Sequence, residues 1–204
     1  MTHIPIAIVG AGMTGLAAAR TLPPSCYRIF EKSRGPGGRL ASKRIEQQRA
    51  DIGAQFFTVR DPRFQALVEL AYSAGAIQSW KPRMGTFQSS MPVDSPDTQT
   101  RYVGAPYMNA LGRFLSQSVR IESQTRIDTI RRDGSDFVLT TTTGATYSAE
   151  QVLVTTPVDQ MAELLVQFEI APISTRFTME PTWTTVVSSE YQLTTSTQEP
   201  IDAC

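Results

Sequence analysis

Three glycines near the N-terminus have the spacing of a phosphate-binding turn. Gly10, Gly12 and Gly15 stand at positions i, i+2 and i+5, directly after the apolar run of residues 4–9. In such a turn the first glycine permits a tight bend, the second lets the backbone approach a pyrophosphate, and the third lets the following helix pack closely on the strand. Free N–H groups and the positive end of the helix dipole then face the phosphates. The pattern therefore predicts a dinucleotide-binding turn.

An acidic residue follows at the distance that such a turn requires. Glu31 comes about 20 residues after the first glycine, where a carboxylate can accept hydrogen bonds from ribose hydroxyls. A negative charge there would repel the 2′-phosphate of NADP, so FAD or NAD is favoured. The alternative is a solvated acid beside an ordinary glycine-rich turn. The complete order of strand, turn, helix, strand and acid argues against that alternative.

A second glycine cluster separates FAD from NAD. Gly35, Gly37 and Gly38 directly precede Arg39, whereas a plain NAD-dependent dehydrogenase usually continues its second strand without such a loop. Cations close to a diphosphate are electrostatically favourable, and the loop carries several of them: Lys32, Arg34, Arg39, Lys43 and Arg44. The alternative is a solvated basic loop.

Regular elements must position these residues. The sequence predicts a buried strand over 4–9, a helix over 14–22 that the prolines at 23 and 24 end, and a strand over 27–30, which together form a βαβ unit. It predicts a helix over 61–74 with Asp61 as N-cap, and another over 106–116. Residues 81–100 read as loops around a short hairpin.

Short strands dominate the stretch from 119 to 154. Residues 119–123, 125–132, 136–143, 145–149 and 151–156 each have strand character, and the turns between them predict a β-meander that ends in the apolar strand 152–154. A helix is expected over 157–168, with Leu164 and Leu165 facing inward. The whole pattern predicts the α/β fold class.

Composition limits the possible functions. The chain has 204 residues, with 19 basic and 19 acidic side chains, so nothing indicates the basic surface of a nucleic-acid-binding protein. No apolar run reaches the ~18–20 residues that span a bilayer. His3 is the only histidine, which leaves no Ser-His-Asp triad. Cys26 and Cys204 form neither a disulfide framework nor a C-x-x-C pair, so no metal site and a cytoplasmic location are expected.

Three stretches together carry a family resemblance: IAIVGAGMTGLAAA, FEKSRGPGGRLASKR and ADIGAQFFTVRDPRF. They resemble the N-terminal half of the flavin amine-oxidase superfamily, and the pattern D-x-G-A-Q-x-F-T-x-R-D resembles its renalase-like branch most closely. RYVGAPYMNAL and MEPTW, further along the chain, also look like this family. The resemblance extends from residue 4 to residue 183.

The resemblance implies FAD as the cofactor and assigns residues to it. The diphosphate turn would consist of Gly10, Gly12, Met13 and Gly15, with Arg39 approaching the diphosphate. Glu31 would hold the adenosine ribose, with Lys32 adjacent, and Ile127 would contact the adenine through its backbone. The wall of the flavin ring would be Gly53, Ala54, Gln55, Phe56 and Phe57.

Several of these assignments have alternatives. Phe56 and Phe57 are equally plausible as core aromatic residues, and Trp183 faces either the core or the flavin. No side chain stands out as a catalytic acid or base. That suits a flavoprotein, in which the cofactor carries the chemistry and the protein positions it.

The resemblance also implies a domain division. Residues 1–60 and 101–160 would form a Rossmann-like FAD-binding domain, and residues 61–100 and 161–204 would form part of a second, mixed α+β substrate domain. Family members continue into a segment that closes the FAD site, and residues 184–204 do not resemble it. The expectation is a chain truncated at its C-terminus.

The expected function is that of an oxidoreductase acting on a small-molecule substrate. By resemblance it would oxidise a dihydronicotinamide species or an amine, by hydride transfer to the flavin with oxygen as acceptor. The alternative is a truncated, non-catalytic FAD-binding module. A plain NAD-dependent dehydrogenase is disfavoured by the G-G-R loop and by the lack of a catalytic histidine. The sequence leaves the oligomeric state open.

Overall fold

A computed structural model describes residues 1–82, 85–88, 91–94, 97–168 and 179–180. Its strands are β1 (Thr2–Val9), β2 (Tyr27–Phe30), β3 (Ser42–Ile45), β4 (Gln48–Asp51), β5 (Ile77–Trp80), β6 (Gly85–Gln88), β7 (Met91–Asp94), β8 (Arg101–Gly104), β9 (Ile121–Glu122), β10 (Ile127–Asp133), β11 (Asp136–Thr141) and β12 (Thr146–Val154). Its helices are α1 (Met13–Arg20), α2 (Pro62–Ser73), α3 (Asn109–Leu115) and α4 (Val158–Leu165).

The main sheet has six strands in the order β10-β11-β12-β1-β2-β9. β12, β1, β2 and β9 run parallel, and β10 and β11 extend the sheet in antiparallel fashion. Val9 lies opposite both Phe30 and Val154, so the carboxyl ends of β1, β2 and β12 meet at one edge of the sheet. Ligands of open parallel sheets bind beyond this edge. The architecture confirms the predicted α/β, Rossmann-like fold with a β-meander.

Two strand predictions were wrong in detail. Residues 145–149 and 151–156 were expected to be separate strands, but residues 146–154 form the single strand β12. It pairs with β1 from Thr2 opposite Tyr147 to Val9 opposite Val154. Because of this pairing, the strand continues across the polar residues at its centre. Residues 119–123 were expected in the meander, but β9 pairs with β2 at the opposite edge of the sheet. Local patterns cannot specify which edge a short strand joins.

Both faces of the sheet are covered. Ile8 packs toward α1, α2 and α3 in one core cluster, while Ala7 and Val9 pack in a second cluster that includes Leu164 and Leu165 of α4. Successive side chains of β1 therefore pack alternately in two core clusters, one on each face of the sheet, as expected for a buried parallel strand. The inward orientation of the two leucines agrees with the sequence prediction.

Two of the helices, α2 and α3, begin beside a carboxylate that accepts a backbone N–H. The carboxylate of Asp61 accepts a hydrogen bond of 2.8 Å from the N–H of Arg63, which confirms the predicted N-cap of α2. The predicted helix over 106–116 is shorter, because α3 begins at Asn109. There the Asp51 carboxylate accepts the N–H of Met108 at 3.0 Å, which fixes the turn before the helix.

Two further points concern the predicted domains. α2 shares its core cluster with α1, and β6 and β7 form the hairpin expected within residues 81–100. The division into two domains stays a prediction, and Trp183 lies outside the described residues.

No helix in the described part of the chain is long and apolar enough to cross a membrane.

Candidate cofactor site

The turn after β1 is shaped by close packing and by open space. Gly10 has φ +105°, and a Cβ there would lie 2.9 Å from the Oγ1 of Thr155. A Cβ on Gly15 would overlap the carbonyl oxygen of Gly10. By contrast, a Cβ on Gly12 would meet no atom within 4 Å. Two of the glycines are therefore required by the protein itself, whereas Gly12 leaves room for something else.

Glu31 is a structural partner of this turn. The residue is only 6% exposed, and its two carboxylate oxygens accept hydrogen bonds from the N–H groups of Ala11 and Ser33, each at 2.8 Å. The residue is therefore not a solvated acid. Each carboxylate oxygen has a second lone pair, and Glu31 lines the adjacent cavity. It can hold the turn and accept hydrogen bonds from ligand hydroxyls at the same time.

The second glycine cluster packs directly on the first. Gly37 donates a hydrogen bond of 2.8 Å to the carbonyl of Ala11, and a Cβ on Gly38 would lie 3.1 Å from the Cα of Gly12. Gly37 and Gly38 have φ values of +129° and +54°. The short 3-10 turn Gly38–Leu40 follows and places Arg39 at the cavity. The two clusters thus form one cradle.

The cavity next to this cradle has a volume of ≈ 570 Å³. That lies within the range of ~300–1,000 Å³ typical of small-molecule sites. It opens at the carboxyl edge of β1, β2 and β12. The residues predicted to bind the cofactor that line it are Gly10, Gly12, Met13, Glu31, Lys32, Arg39 and Ile127. Gly15 lies behind the turn, packed against Gly10.

Two threonines at the end of β12 were missed by the sequence reasoning. The single hydroxyl hydrogen of Thr155 is shared between the carbonyl oxygens of Val9 and Gly10, each 3.0 Å from Oγ1, and so ties β12 to the turn. The Oγ1 of Thr156 is buried and has no hydrogen-bond partner among the described residues, although the residue lines the cavity. Such a group costs about 1–3 kcal/mol. A polar ligand group would remove that cost, so this wall of the cavity suits a polar ligand such as the predicted cofactor.

Helix α4 contributes a second set of polar groups that the sequence reasoning missed. Lys32 donates a hydrogen bond of 3.0 Å from Nζ to the Oε1 of Gln160, which joins the end of β2 to α4. Gln160 and Glu163 also line the cavity. Their spacing of three residues places them on one helix face, which is the signal that could have identified them.

The predicted wall of the flavin ring does not line this cavity. It begins close by, since the N–H of Ala54 donates to the carbonyl of Arg39 at 2.8 Å and a Cβ on Gly53 would overlap the same oxygen. Gln55 is exposed. The role of residues 53–57 at a flavin ring stays a prediction.

The two phenylalanines of this segment have different surroundings. Phe57 stacks on Tyr102 with ring centroids 5.7 Å apart and exchanges two backbone hydrogen bonds with it. It is a core aromatic residue by these contacts. Phe56 lies between Trp80, 5.8 Å away between centroids, and the guanidinium of Arg101, 5.2 Å from the ring centroid.

Arg101 is a buried cation, with 5% of its surface exposed. It pairs with Asp97 at 2.6 Å and donates to the carbonyl of Gln99 at 3.0 Å, while its Nε has no partner among the described residues. The N–H of Gln99 and the guanidinium lower the pKa of the Asp97 carboxyl.

No group of three His, Cys, Asp or Glu side chains in the described ranges is placed to hold a metal ion.

Comparison with known proteins finds two family models that match parts of this chain. Residues 8–70 match the model of an NAD(P)-binding Rossmann-like domain, and residues 87–187 match that of the flavin-containing amine oxidoreductases. An A394C mutant of putrescine oxidase has a similar fold, with a TM-score of 0.62 and 12% identity over 80% of this chain. A protein from Exiguobacterium sp. 255-15 that bears the name protoporphyrinogen oxidase is also similar in fold. Its TM-score is 0.61, and it is 14% identical over 80% of this chain.

This chain covers only part of each of these two structures. The chain spans 60% of the putrescine oxidase and 61% of the Exiguobacterium protein. The family match confirms the predicted superfamily and, with it, the prediction of FAD as cofactor. The cradle and the buried acid agree with these two matches, which place residues 8–70 with NAD(P)-binding Rossmann-like domains and residues 87–187 with the flavin-containing amine oxidoreductases.

Proposed function

We propose that this chain binds FAD in the cavity at the carboxyl edge of the sheet and forms part of an oxidoreductase for a small reduced substrate. The observation that carries the proposal is Glu31, a buried carboxylate held by two backbone N–H groups at the wall of that cavity. Burying an acid is unfavourable unless its hydrogen bonds are satisfied. Here the structure satisfies half of its acceptor capacity and leaves the rest for a ligand.

The residues around the cavity match the parts of the cofactor. The turn at Gly12 and Met13 lies at the N-terminus of α1, which suits the diphosphate. Arg39 supplies a cation without an ion-pair partner among the described residues. Glu31 would accept the ribose hydroxyls, with Lys32 beside it, and the backbone of Ile127 would meet the adenine.

The chemistry that FAD supplies when bound is hydride acceptance from the substrate, with oxygen as the final electron acceptor. The protein's task is to bind the cofactor, orient it and exclude water. We further propose a dihydronicotinamide species or an amine as substrate, and a place in the renalase-like branch. The motif D-x-G-A-Q-x-F-T-x-R-D supports that branch. A cytoplasmic location rests on the cysteine content and stays a prediction.

A second candidate is a non-catalytic FAD-binding module. The observation that favours it is coverage, because the chain spans only about 60% of the structures it matches. The two candidates share the cofactor site and differ in turnover.

Anaerobic mixing separates them. The FAD-loaded chain is mixed with a dihydronicotinamide and, separately, with a diamine, and the flavin absorbance is followed. Loss of the oxidised flavin band, and its return on admission of air, is expected for the oxidoreductase. A flavin that stays bound and oxidised with every substrate would favour the binding module.

A further inference from the structure

A second concave surface lies between the β3–β4 hairpin and α3. Its volume is ≈ 550 Å³, and it shares no lining residue with the cofactor cavity. Two arginines of the hairpin and one of α3 come together there. We call this surface the arginine hollow, and its lining residues are Arg44, Glu46, Gln47, Arg49, Pro106, Tyr107 and Arg113.

Two of these arginines face each other across the hairpin. Arg44 of β3 lies directly opposite Arg49 of β4 in the antiparallel register. Side chains in such pairs have Cβ atoms about 4.5–5.5 Å apart, and like charges placed opposite each other are destabilising. The pairing is therefore unfavourable for the free protein.

Neutral groups, rather than acids, orient two of the three cations. The Arg49 guanidinium lies over the ring of Tyr107, 5.7 Å from its centroid. Arg113 donates a hydrogen bond of 3.0 Å from Nη2 to the Oδ1 of Asn109. Because these contacts use only part of each guanidinium, several N–H donors of each fork remain available.

Within the described part of the chain, no carboxylate pairs with these arginines. The ion pairs of the described arginines involve Arg28, Arg63, Arg101 and Arg131 instead. Glu46 is the single acid of the lining. The nearby Asp51 is engaged, since it accepts hydrogen bonds from Ser42 at 2.5 Å and from Met108. The chain carries equal numbers of basic and acidic side chains, so this concentration of positive charge is local.

We propose that the arginine hollow binds a small molecule bearing a phosphate or diphosphate, as a ligand separate from FAD. Planar guanidinium forks match phosphate oxygens in pairs, and several forks around one concave surface suit a multiply charged anion. The volume lies within the range of small-molecule sites, ~300–1,000 Å³. Five of the seven lining residues carry a charge or an amide, so the hollow offers little to the acyl chains of a lipid bilayer.

The test is a titration of the full chain with sodium pyrophosphate. Saturating FAD is present throughout to fill the cofactor cavity, and the ionic strength is held constant. Calorimetry is expected to show one pyrophosphate bound per chain. The temperature of thermal unfolding is expected to rise when pyrophosphate is added. Arg44→Gln should raise the pyrophosphate Kd at least about tenfold, because one charged fork is lost. Arg113→Gln should act in the same direction.

Two controls accompany these variants. Arg131→Gln removes the same charge from the exposed strand β10, where Arg131 lies 3.7 Å from Asp133, and should leave pyrophosphate binding unchanged. Without pyrophosphate, Arg44→Gln should unfold at the same temperature as the natural chain or higher, since the repulsion with Arg49 is removed. That result shows that a loss of binding does not arise from misfolding.

Several results would overturn the proposal. These are no binding of pyrophosphate, equal binding by Arg44→Gln, or an equal response to citrate at the same ionic strength. Binding to vesicles that contain a phosphoinositide, without binding of free pyrophosphate, would assign the hollow to a lipid headgroup instead. Binding of polyglutamate alone would assign it to an acidic protein segment.

Discussion

The carboxylate of Glu31 accepts a hydrogen bond of 2.8 Å from the backbone N–H of Ala11, at the centre of the glycine-rich turn. The acid predicted to recognise the ribose therefore also holds the turn predicted to recognise the diphosphate. Because this hydrogen bond connects the two halves of the site, a change at Glu31 should alter both the stability of the fold and the affinity for the cofactor.

Glu31→Gln tests this joint role. The amide can accept only one of the two N–H groups through its oxygen, so one donor loses its partner at a cost of about 1–3 kcal/mol. We expect a lower unfolding temperature without FAD and an increased FAD Kd. Glu122→Gln is the matched control, because the side chain of Glu122 is half-exposed and its carboxylate pairs with Arg28 rather than with the turn. Equal behaviour of the two variants would contradict the role of Glu31.

Gly12→Ala and Gly15→Ala separate ligand space from protein packing. A Cβ at Gly12 meets no protein atom within 4 Å, and its φ of −75° suits alanine. We expect Gly12→Ala to fold with stability within about 0.5 kcal/mol of the natural chain and to bind FAD less tightly. Gly15→Ala overlaps the carbonyl of Gly10 and should destabilise the fold by at least about 1–3 kcal/mol.

Denaturant unfolding and FAD titration of both variants check this expectation. A Gly12→Ala chain that binds FAD as tightly as the natural one would remove the diphosphate from that turn.

The neighbouring threonines give a second matched pair. Thr155→Val loses the donor to Val9 and should cost about 1 kcal/mol of stability without FAD. Thr156→Val removes a buried hydroxyl that has no partner among the described residues. That change should leave the stability without FAD equal or higher and should weaken FAD binding. Urea unfolding with and without FAD measures both quantities. The reverse pattern would contradict the assignment of Thr156 to the ligand.

The N-cap of α2 predicts a dependence on pH. The Arg63 side chain and backbone lower the pKa of the Asp61 carboxyl well below its usual range. A carboxyl with a lowered pKa in the folded state adds stability above its unfolded pKa and loses it as the pH falls through the folded value. Asp61→Asn keeps a good cap residue without the charge. The variant should be less stable near neutral pH, and the difference should shrink in strong acid. A difference that is constant across pH would contradict this.

Sequence reasoning succeeded where local signals were complete. β2 spans residues 27–30 as predicted, because the strand-favouring residues Tyr27, Ile29 and Phe30 stand between two prolines and an acid. The glycine spacing likewise located the turn, since Gly10 has a positive φ and Gly15 packs against the carbonyl of Gly10. The Asp61 cap followed from the residue type and the proline after it.

The missed features depend on long-range pairing. Thr155 reaches Gly10 only because β12 pairs with β1, and Lys32 meets Gln160 only because α4 returns over the end of β2. The opposition of Arg44 and Arg49 needs the hairpin register. The first two relationships join residues more than a hundred positions apart, so only the tertiary fold could supply them.

The most direct test of the central claim is a visible spectrum. The chain is purified without added cofactor, exposed to FAD, desalted, and compared with Glu31→Gln treated identically. The account predicts a bound flavin band near one FAD per chain for the natural protein and a clearly reduced band for the variant. A colourless natural protein that takes up no flavin, or equal loading of both proteins, would contradict the claim that this cradle binds FAD.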